Sequence, residues 1–193
     1  MPVTARRRAT YEDLLAVPDH LVAEILDGEL VTSPRPASPQ VLAAGRVFRD
    51  VSGRFDGPAG GDGGGGWWVL FEPELHLRDD IVVPDLAGWR HERMPSFPNV
   101  PFFELAPDWA CELASPSTAR IDRARKMSVY ARERVGHVWL VDALAHTLEV
   151  FRLEDTRWVL AAVHGGDAKI RPEPFEAFEV DLARWWPPIE GPG

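Results

Sequence analysis

The sequence has one cysteine, Cys111, in 193 residues. That excludes a disulfide framework and every multi-cysteine zinc site. No apolar run reaches the roughly 18 residues that a membrane span needs, so no membrane is expected as a partner. Arg6, Arg7 and Arg8 lie near the start, but no apolar segment follows, so the N-terminus does not read as a signal peptide. The expected compartment is a reducing cytoplasm. Positive charge is scarce: 21 basic residues face 30 acidic ones, a net charge of −9. Such a chain does not bind nucleic acid indiscriminately, so any such binding must come from a local patch. Lysine is scarcer still. Lys126 and Lys169 are the two lysines, and every other basic residue is arginine.

What is present suits a soluble globular domain: 45% hydrophobic and 26% charged residues. The length fits a single domain over residues 1–193, with enough apolar material for a core without metal or disulfides. Residues 1–9 read as a flexible tail. The 18 prolines and 16 glycines imply long loops. The glycine-rich stretch 57–66 has no following Lys-Ser or Lys-Thr, so it is no phosphate-binding P-loop and reads as a flexible connector.

Thr10 is placed to cap a short helix through Val17, with Glu12 and Asp13 in its first turn. Leu21–Leu26 reads as a strand, and Asp27-Gly28 as a hairpin turn into a return strand from Glu29. Ser38, followed by Pro39, reads as the cap of a second helix. Its apolar face would carry Val41, Leu42, Ala44, Val47, Phe48 and Val51. Strands are expected at 67–71, 75–77, 81–87, 109–113, 137–141, 147–153 and 158–163. A long helix over about 119–134 would end at Gly136, and a short one over about 182–186. The Pro- and Phe-rich loop 91–107 either covers the core with Phe97, Phe102 and Phe103 or meets a second subunit. Trp185 and Trp186 are expected to pack the last helix onto the sheet. The order of elements implies an α/β or α+β sandwich around a central mixed sheet.

Two acids sit in apolar strands. Asp85 follows Pro84 within Ile81-Val82-Val83-Pro84-Asp85-Leu86-Ala87, and Glu112 lies within Trp109-Ala110-Cys111-Glu112-Leu113. A carboxylate there is costly unless something compensates it. Alternation puts Glu112 on one face with Ala110 and Ala114, leaving room beside the carboxylate. If the two strands are neighbours, both acids can converge on one hard cation, Mg²⁺ or Mn²⁺. Either acid alone reads as well as an edge residue or an arginine partner.

Asp122, Lys126 and Tyr130 are spaced by four and share one stripe of the long helix. Ile121, Ala124, Met127 and Ala131 would form the inward stripe. The stripe with Lys126 is then either a solvated ion pair or a site that needs a compact ammonium, which arginine cannot supply. Residues 120–134 hold six basic and two acidic side chains. Arg120, Arg123 and Arg125 are therefore candidates for meeting phosphates.

These residues resemble a known family. Glu24-Ile25-Leu26-Asp27-Gly28-Glu29-Leu30, Val83-Pro84-Asp85-Leu86, Glu112 through Thr118, Asp122 with Lys126 and Tyr130, and Trp139-Leu140-Val141-Asp142 are together similar to the Uma2 family (DUF820). Those are nucleases of the PD-(D/E)XK, restriction-endonuclease-like superfamily. The resemblance spans about residues 10–155 and rests on order and spacing rather than on any one motif. It implies a restriction-endonuclease-like core: a central mixed sheet flanked by helices, with an N-terminal helix and β-hairpin. It also implies Mg²⁺- or Mn²⁺-dependent hydrolysis of phosphodiester bonds in nucleic acid, DNA first, and possible assembly as a homodimer. Asp85 matches the Asp of the PD motif and Glu112 the following acid. Both would hold the metal, helped by the Leu113 carbonyl. The usual lysine place is Ala114 here, and Lys126 matches a lysine relocated to the next helix, placed to orient or deprotonate water or to neutralise the transition state. Glu24 matches an acid of the first hairpin that contacts the metal or its ligands. Asp122 and Tyr130 are accessory candidates.

Ala114 stands where a larger aliphatic residue is usual, and stretches 57–66 and 91–107 look like insertions. A rival reading keeps the fold but makes it a non-catalytic DNA- or protein-binding module, which the charge of −9 favours. A histidine-based metal enzyme is disfavoured, because His20, His76, His91, His137, His146 and His164 form no HxxxH or HxH pair.

Overall fold

A computed structural model describes residues 7–60, 64–115 and 118–188. Thr10 caps α1 (Tyr11–Leu15) in a reciprocal box with Asp13, so the helix starts as expected and stops two residues early. The chain before it is anchored rather than free over 7–9. The Ala9 N–H donates to the Gly28 carbonyl, and Arg7 and Arg8 reach Asp13 and Asp79. Residues 1–6 of the expected tail lie outside the described residues. β1 (Leu21–Leu26) and β2 (Glu29–Pro34) form the hairpin, turned at Asp27 and Gly28 with φ of 54° and 79°. That two-residue left-handed turn is what an Asp-Gly pair favours.

α2 (Ser38–Phe55) begins one residue earlier than expected. Ala37 is the cap residue, and no side chain caps the turn. Its buried face is Ala43, Ala44, Val47, Val51 and Phe55, while Val41 and Leu42 are exposed. The glycine-rich stretch is a hydrogen-bonded loop, not a loose connector. The Gly57 and Gly66 N–H groups donate to Trp67 and Gly57, and the Gly65 N–H donates to Arg54. Gly65, at φ 76°, passes so close to Pro58 that a Cβ would lie 1.9 Å from the Pro58 carbonyl oxygen. Gly61, Asp62 and Gly63 lie outside the described residues.

Two sheets follow. One has the order β2-β1-β5-β4, with β4 (Leu75–Leu77) and β5 (Asp80–Val82). The larger has the order β10-β9-β8-β7-β6-β3. Its strands are β3 (Trp67–Phe71), β6 (Leu86–Arg90), β7 (Trp109–Leu113), β8 (His137–Asp142), β9 (Thr147–Glu154) and β10 (Arg157–Gly165). It is a mixed sheet, because β7 and β8 run parallel while the other pairs are antiparallel. The expected single strand 81–87 is in fact two strands in different sheets. Pro84 cannot donate to a ladder, and the chain changes sheet there. A small pair, β11 (Lys169–Ile170) with β12 (Val180–Asp181), precedes a single 3₁₀ turn, Leu182–Arg184, where a helix was expected.

The third helix covers residues 119–132 and is called α3. It opens with an α turn, Ala119–Ile121. It widens to a π-helical segment over Asp122–Lys126, where the Met127 N–H donates to the Asp122 carbonyl, and returns to α over Met127–Arg132. It ends at Arg134, whose φ is 63°, with the Val135 N–H returning to the Tyr130 carbonyl. This is the Schellman closure that the sequence reading placed at Gly136.

Helices cover both faces of the six-stranded sheet. α2 packs on Trp67, Val69, Leu86, Trp109, Cys111 and Leu113, joined by Phe175, Trp185 and Trp186. α3 packs Met127, Val129 and Tyr130 on Ala87, Trp89, Ala110, Val138 and Leu140. Phe103 joins that second core, Phe102 stacks on His76, and Phe97 is half exposed. Among the described residues no helix is long and apolar enough to cross a membrane.

Candidate active site

β6 starts where its antiparallel neighbour β7 ends, with Leu86 opposite Cys111. Asp85, one residue before β6, therefore lies beside the end of β7, and its Oδ2 accepts a 2.7 Å hydrogen bond from the Leu113 N–H. Its other carboxyl oxygen has no partner among the described residues. Glu112 alternates to the α3 face of the sheet, as expected from its strand position, and is 2% exposed. Its Oε1 accepts from the Tyr130 hydroxyl at 2.5 Å, and its Oε2 accepts from Lys126 Nζ at 2.8 Å.

Lys126 is 3% exposed. Besides Glu112, its Nζ donates to the Val83 carbonyl at 3.0 Å and lies 3.1 Å from Glu24 Oε1. Glu24, on β1, also accepts the Val83 N–H at 2.8 Å. Asp122 Oδ1 stands 4.0 Å from the same ammonium. Asp122 and Lys126 are both buried although they bracket the π segment. The stripe carrying Asp122, Lys126 and Tyr130 faces the protein. Ala124 of the expected inward stripe is exposed, and Ile121 and Ala131 are only half buried.

Except for Tyr130, which does not line it, these groups share one open pocket of about 390 Å³, walled by β1, the β2–α2 turn, the Val83–Asp85 corner, the end of β7 and the start of α3. Glu24, Asp85, Glu112 and Asp122 line it against Lys126. Burial pushes the Asp85 carboxyl up to about 6, against the Leu113 N–H and the Lys126 charge, which favour its ionised form. Burial also raises Asp122, and Lys126 opposes that. For Lys126 burial works toward the neutral amine, but Glu112 and Glu24 outweigh it and hold the ammonium well above its ordinary range. With its three protons directed at Glu112, Glu24 and the Val83 carbonyl, this lysine has no lone pair to offer.

The donor set is oxygen only, which fits a hard divalent cation, and the excess of carboxylates over ammonium is what such a cation would offset. No group of three or more His, Cys, Asp and Glu side chains forms a cage among the described residues.

Sequence candidates on the arginine face separate. Arg123 makes a two-pronged pair with Glu149 at 2.6 and 2.8 Å. Arg125 bonds the Leu26 carbonyl and lies 3.3 Å from Glu29. Arg120 is exposed and has no such partner among the described residues. No histidine lines the pocket. The sequence reading missed Gln40, a 2% exposed amide on α2 that also lines the pocket. Its signal was weak: one polar residue on a helix face otherwise carrying alanine, valine and phenylalanine. Pro116 and Ser117 of the turn before α3 lie outside the described residues.

A family model named Uma2, described as "putative restriction endonuclease", matches residues 8–183. A crystal structure from Anabaena variabilis, described as a "putative nuclease belonging to DUF820", superposes with a TM-score of 0.72. The match covers 92% of this chain and 97% of that one at 18% identity, so it speaks for the fold. No curated protein matches the chain.

Proposed function

This chain belongs to the Uma2 family, and from that footing we propose that it is an endonuclease hydrolysing phosphodiester bonds of DNA with Mg²⁺ or Mn²⁺. The observation that carries the reading is the meeting of Asp85, Glu112 and Lys126 in one pocket. Asp85 and Glu112, with the Leu113 carbonyl, would hold the cation. When bound, such a cation polarises the phosphate and lowers the pKa of its water. The protein supplies the rest. The Leu113 N–H fixes one Asp85 oxygen and leaves the other for the ion. The Tyr130 hydroxyl and the Lys126 ammonium fix the Glu112 carboxylate. Held charged by its carboxylate partners, Lys126 acts through its positive field on the developing phosphorane charge rather than as a general base.

The test is cleavage of single- and double-stranded DNA and RNA with Mg²⁺ or Mn²⁺. Asp85→Asn and Glu112→Gln are each expected to lower the rate by about a hundredfold or more while the protein stays folded. Cleavage by both variants at the wild-type rate would end the proposal. A second reading, a non-catalytic binding module, draws on the same lysine, because a fully satisfied ammonium also serves to lock a fold. It expects DNA binding that is indifferent to divalent ions. A homodimer is the assembly expected for cutting both strands, and light scattering on the purified protein checks it.

A further inference from the structure

The carboxylate side of the pocket faces a wall of different chemistry. The turn from β2 into α2 contributes Pro34, Arg35, Pro36, Ala37, Pro39 and Gln40. α2 has 18 residues, and its first turn carries no acidic side chain and no side-chain cap. The Ser38 and Gln40 N–H groups therefore find no partner among the described residues. An uncapped helix start concentrates partial positive charge on such N–H groups.

Gln40 gives an independent sign that this wall is built for a ligand. Its side chain is buried, and its Oε1 has no hydrogen-bond partner among the described residues. A buried unpaired amide is rare in a native protein and calls for a reason. An amide oxygen only accepts, so a phosphate oxygen would be met by the Nε2 N–H groups, which have no acceptor among the described residues. Arg35 stands at the pocket's edge. It is half exposed, donates to the Asp19 carbonyl at 3.0 and 3.3 Å, and lies 4.0 Å from a Glu72 carboxylate oxygen.

We propose that the first turn of α2, with the Gln40 amide and the Arg35 guanidinium, is a phosphate subsite for the nucleic-acid strand. The inference rests on the nuclease reading and adds a second anchor to it. The carboxylates take the cation, and the helix start takes a phosphate from the opposite wall. A strand held at both places is oriented across the pocket despite the chain's overall negative charge. Phosphate at a helix start needs no lysine, in keeping with a chain that has so few.

The test measures binding of a fluorescent single-stranded oligodeoxynucleotide in EDTA, so that it does not depend on cleavage. Ala37→Ser supplies the missing cap and occupies the N–H groups without adding charge, and Ala37→Asp does so with a carboxylate. Both are expected to melt above wild type. Ala37→Ser is expected to weaken binding severalfold, and Ala37→Asp about tenfold or more. Gln40→Met should weaken binding severalfold and melt no lower than wild type, since it removes a buried unpaired oxygen. Val163→Asp, an equal charge on exposed β10, should change little. Binding by Ala37→Ser, Ala37→Asp and Gln40→Met within twofold of wild type would overturn the subsite. So would a loss with Val163→Asp equal to that with Ala37→Asp. Failure of the wild-type protein to cleave any nucleic acid would instead sink the nuclease reading, and is seen separately.

Discussion

Lys126 illustrates how much a single residue can carry here. It ties β1 through Glu24, the Val83–Asp85 corner through a carbonyl, and β7 through Glu112. Removing it leaves buried carboxylates facing one another. Lys126→Met is therefore expected to cost roughly 3–5 kcal/mol of stability, read by urea or thermal unfolding. A loss below about 1 kcal/mol, the range of surface ion pairs, would mean that the network is not buried in solution. Asp85 gives a prediction in pH. Its folded carboxyl titrates near 6 against an ordinary 3.8, so the unfolded chain is the better acid. For the metal-free protein that contribution to stability is complete below about pH 4 and is lost as pH rises through about 6. Asp85→Asn should make the downward slope of unfolding free energy against pH shallower, leaving the share of Asp122, which burial also raises. An unchanged slope would assign the effect to another group. Of these residues, the two acids and the lysine were legible from their odd settings: carboxylates in apolar runs and a lysine in an arginine-rich chain. Gln40 and the Val83 carbonyl were not, because an amide has no titration signature and a backbone oxygen has no sequence signature.

Among the elements, α3 and the Pro84 corner do most to assemble the site. The π segment fits one extra residue into the turn that carries Asp122 and Lys126. Strict α spacing predicts Ala124 on the inward face, and the wider turn leaves it exposed. No feature of residue type announces such a turn, so the burial of the polar stripe could not be settled from periodicity. Deleting Ala124 should restore regular α spacing and carry Asp122 away from the pocket, since Met127, Val129 and Tyr130 pin the helix after it. Cleavage is expected to fall about tenfold or more while unfolding stays cooperative. Full activity would show that Asp122 is dispensable. The Pro84 corner was partly legible. Proline marked the break, but the apolar residues on both sides read as one strand. The hairpin at Asp27-Gly28, by contrast, was fixed by local chemistry and needed no tertiary information.

For the whole molecule, the six-stranded sheet separates two cores and leaves the pocket at the end of β7, between the first turns of α2 and α3. The order of strands and helices was readable because each strand is short, apolar and bounded by turn residues. Which strands share a sheet was not readable, since pairing is non-local. β7 and β8 run parallel because α3 returns the chain between them, and this puts Glu112 opposite Leu140. Trp139 lies fully buried among Trp109, Phe175 and Trp185. Trp139→Ala should cost about 3–5 kcal/mol, measured by denaturant unfolding, and affect cleavage only through stability. The pocket shares the acidic sign of the whole chain, with four carboxylates against Lys126 and Arg35 at its edge.

The most direct measurement is calorimetric titration of the metal-free protein with Mn²⁺ near neutral pH, beside folded Asp85→Asn and Glu112→Gln. Saturable binding to wild type, absent from both variants, is the predicted result. Equal binding by all three, or none by the wild type in the presence of a DNA strand, would contradict a cation held between these two carboxylates.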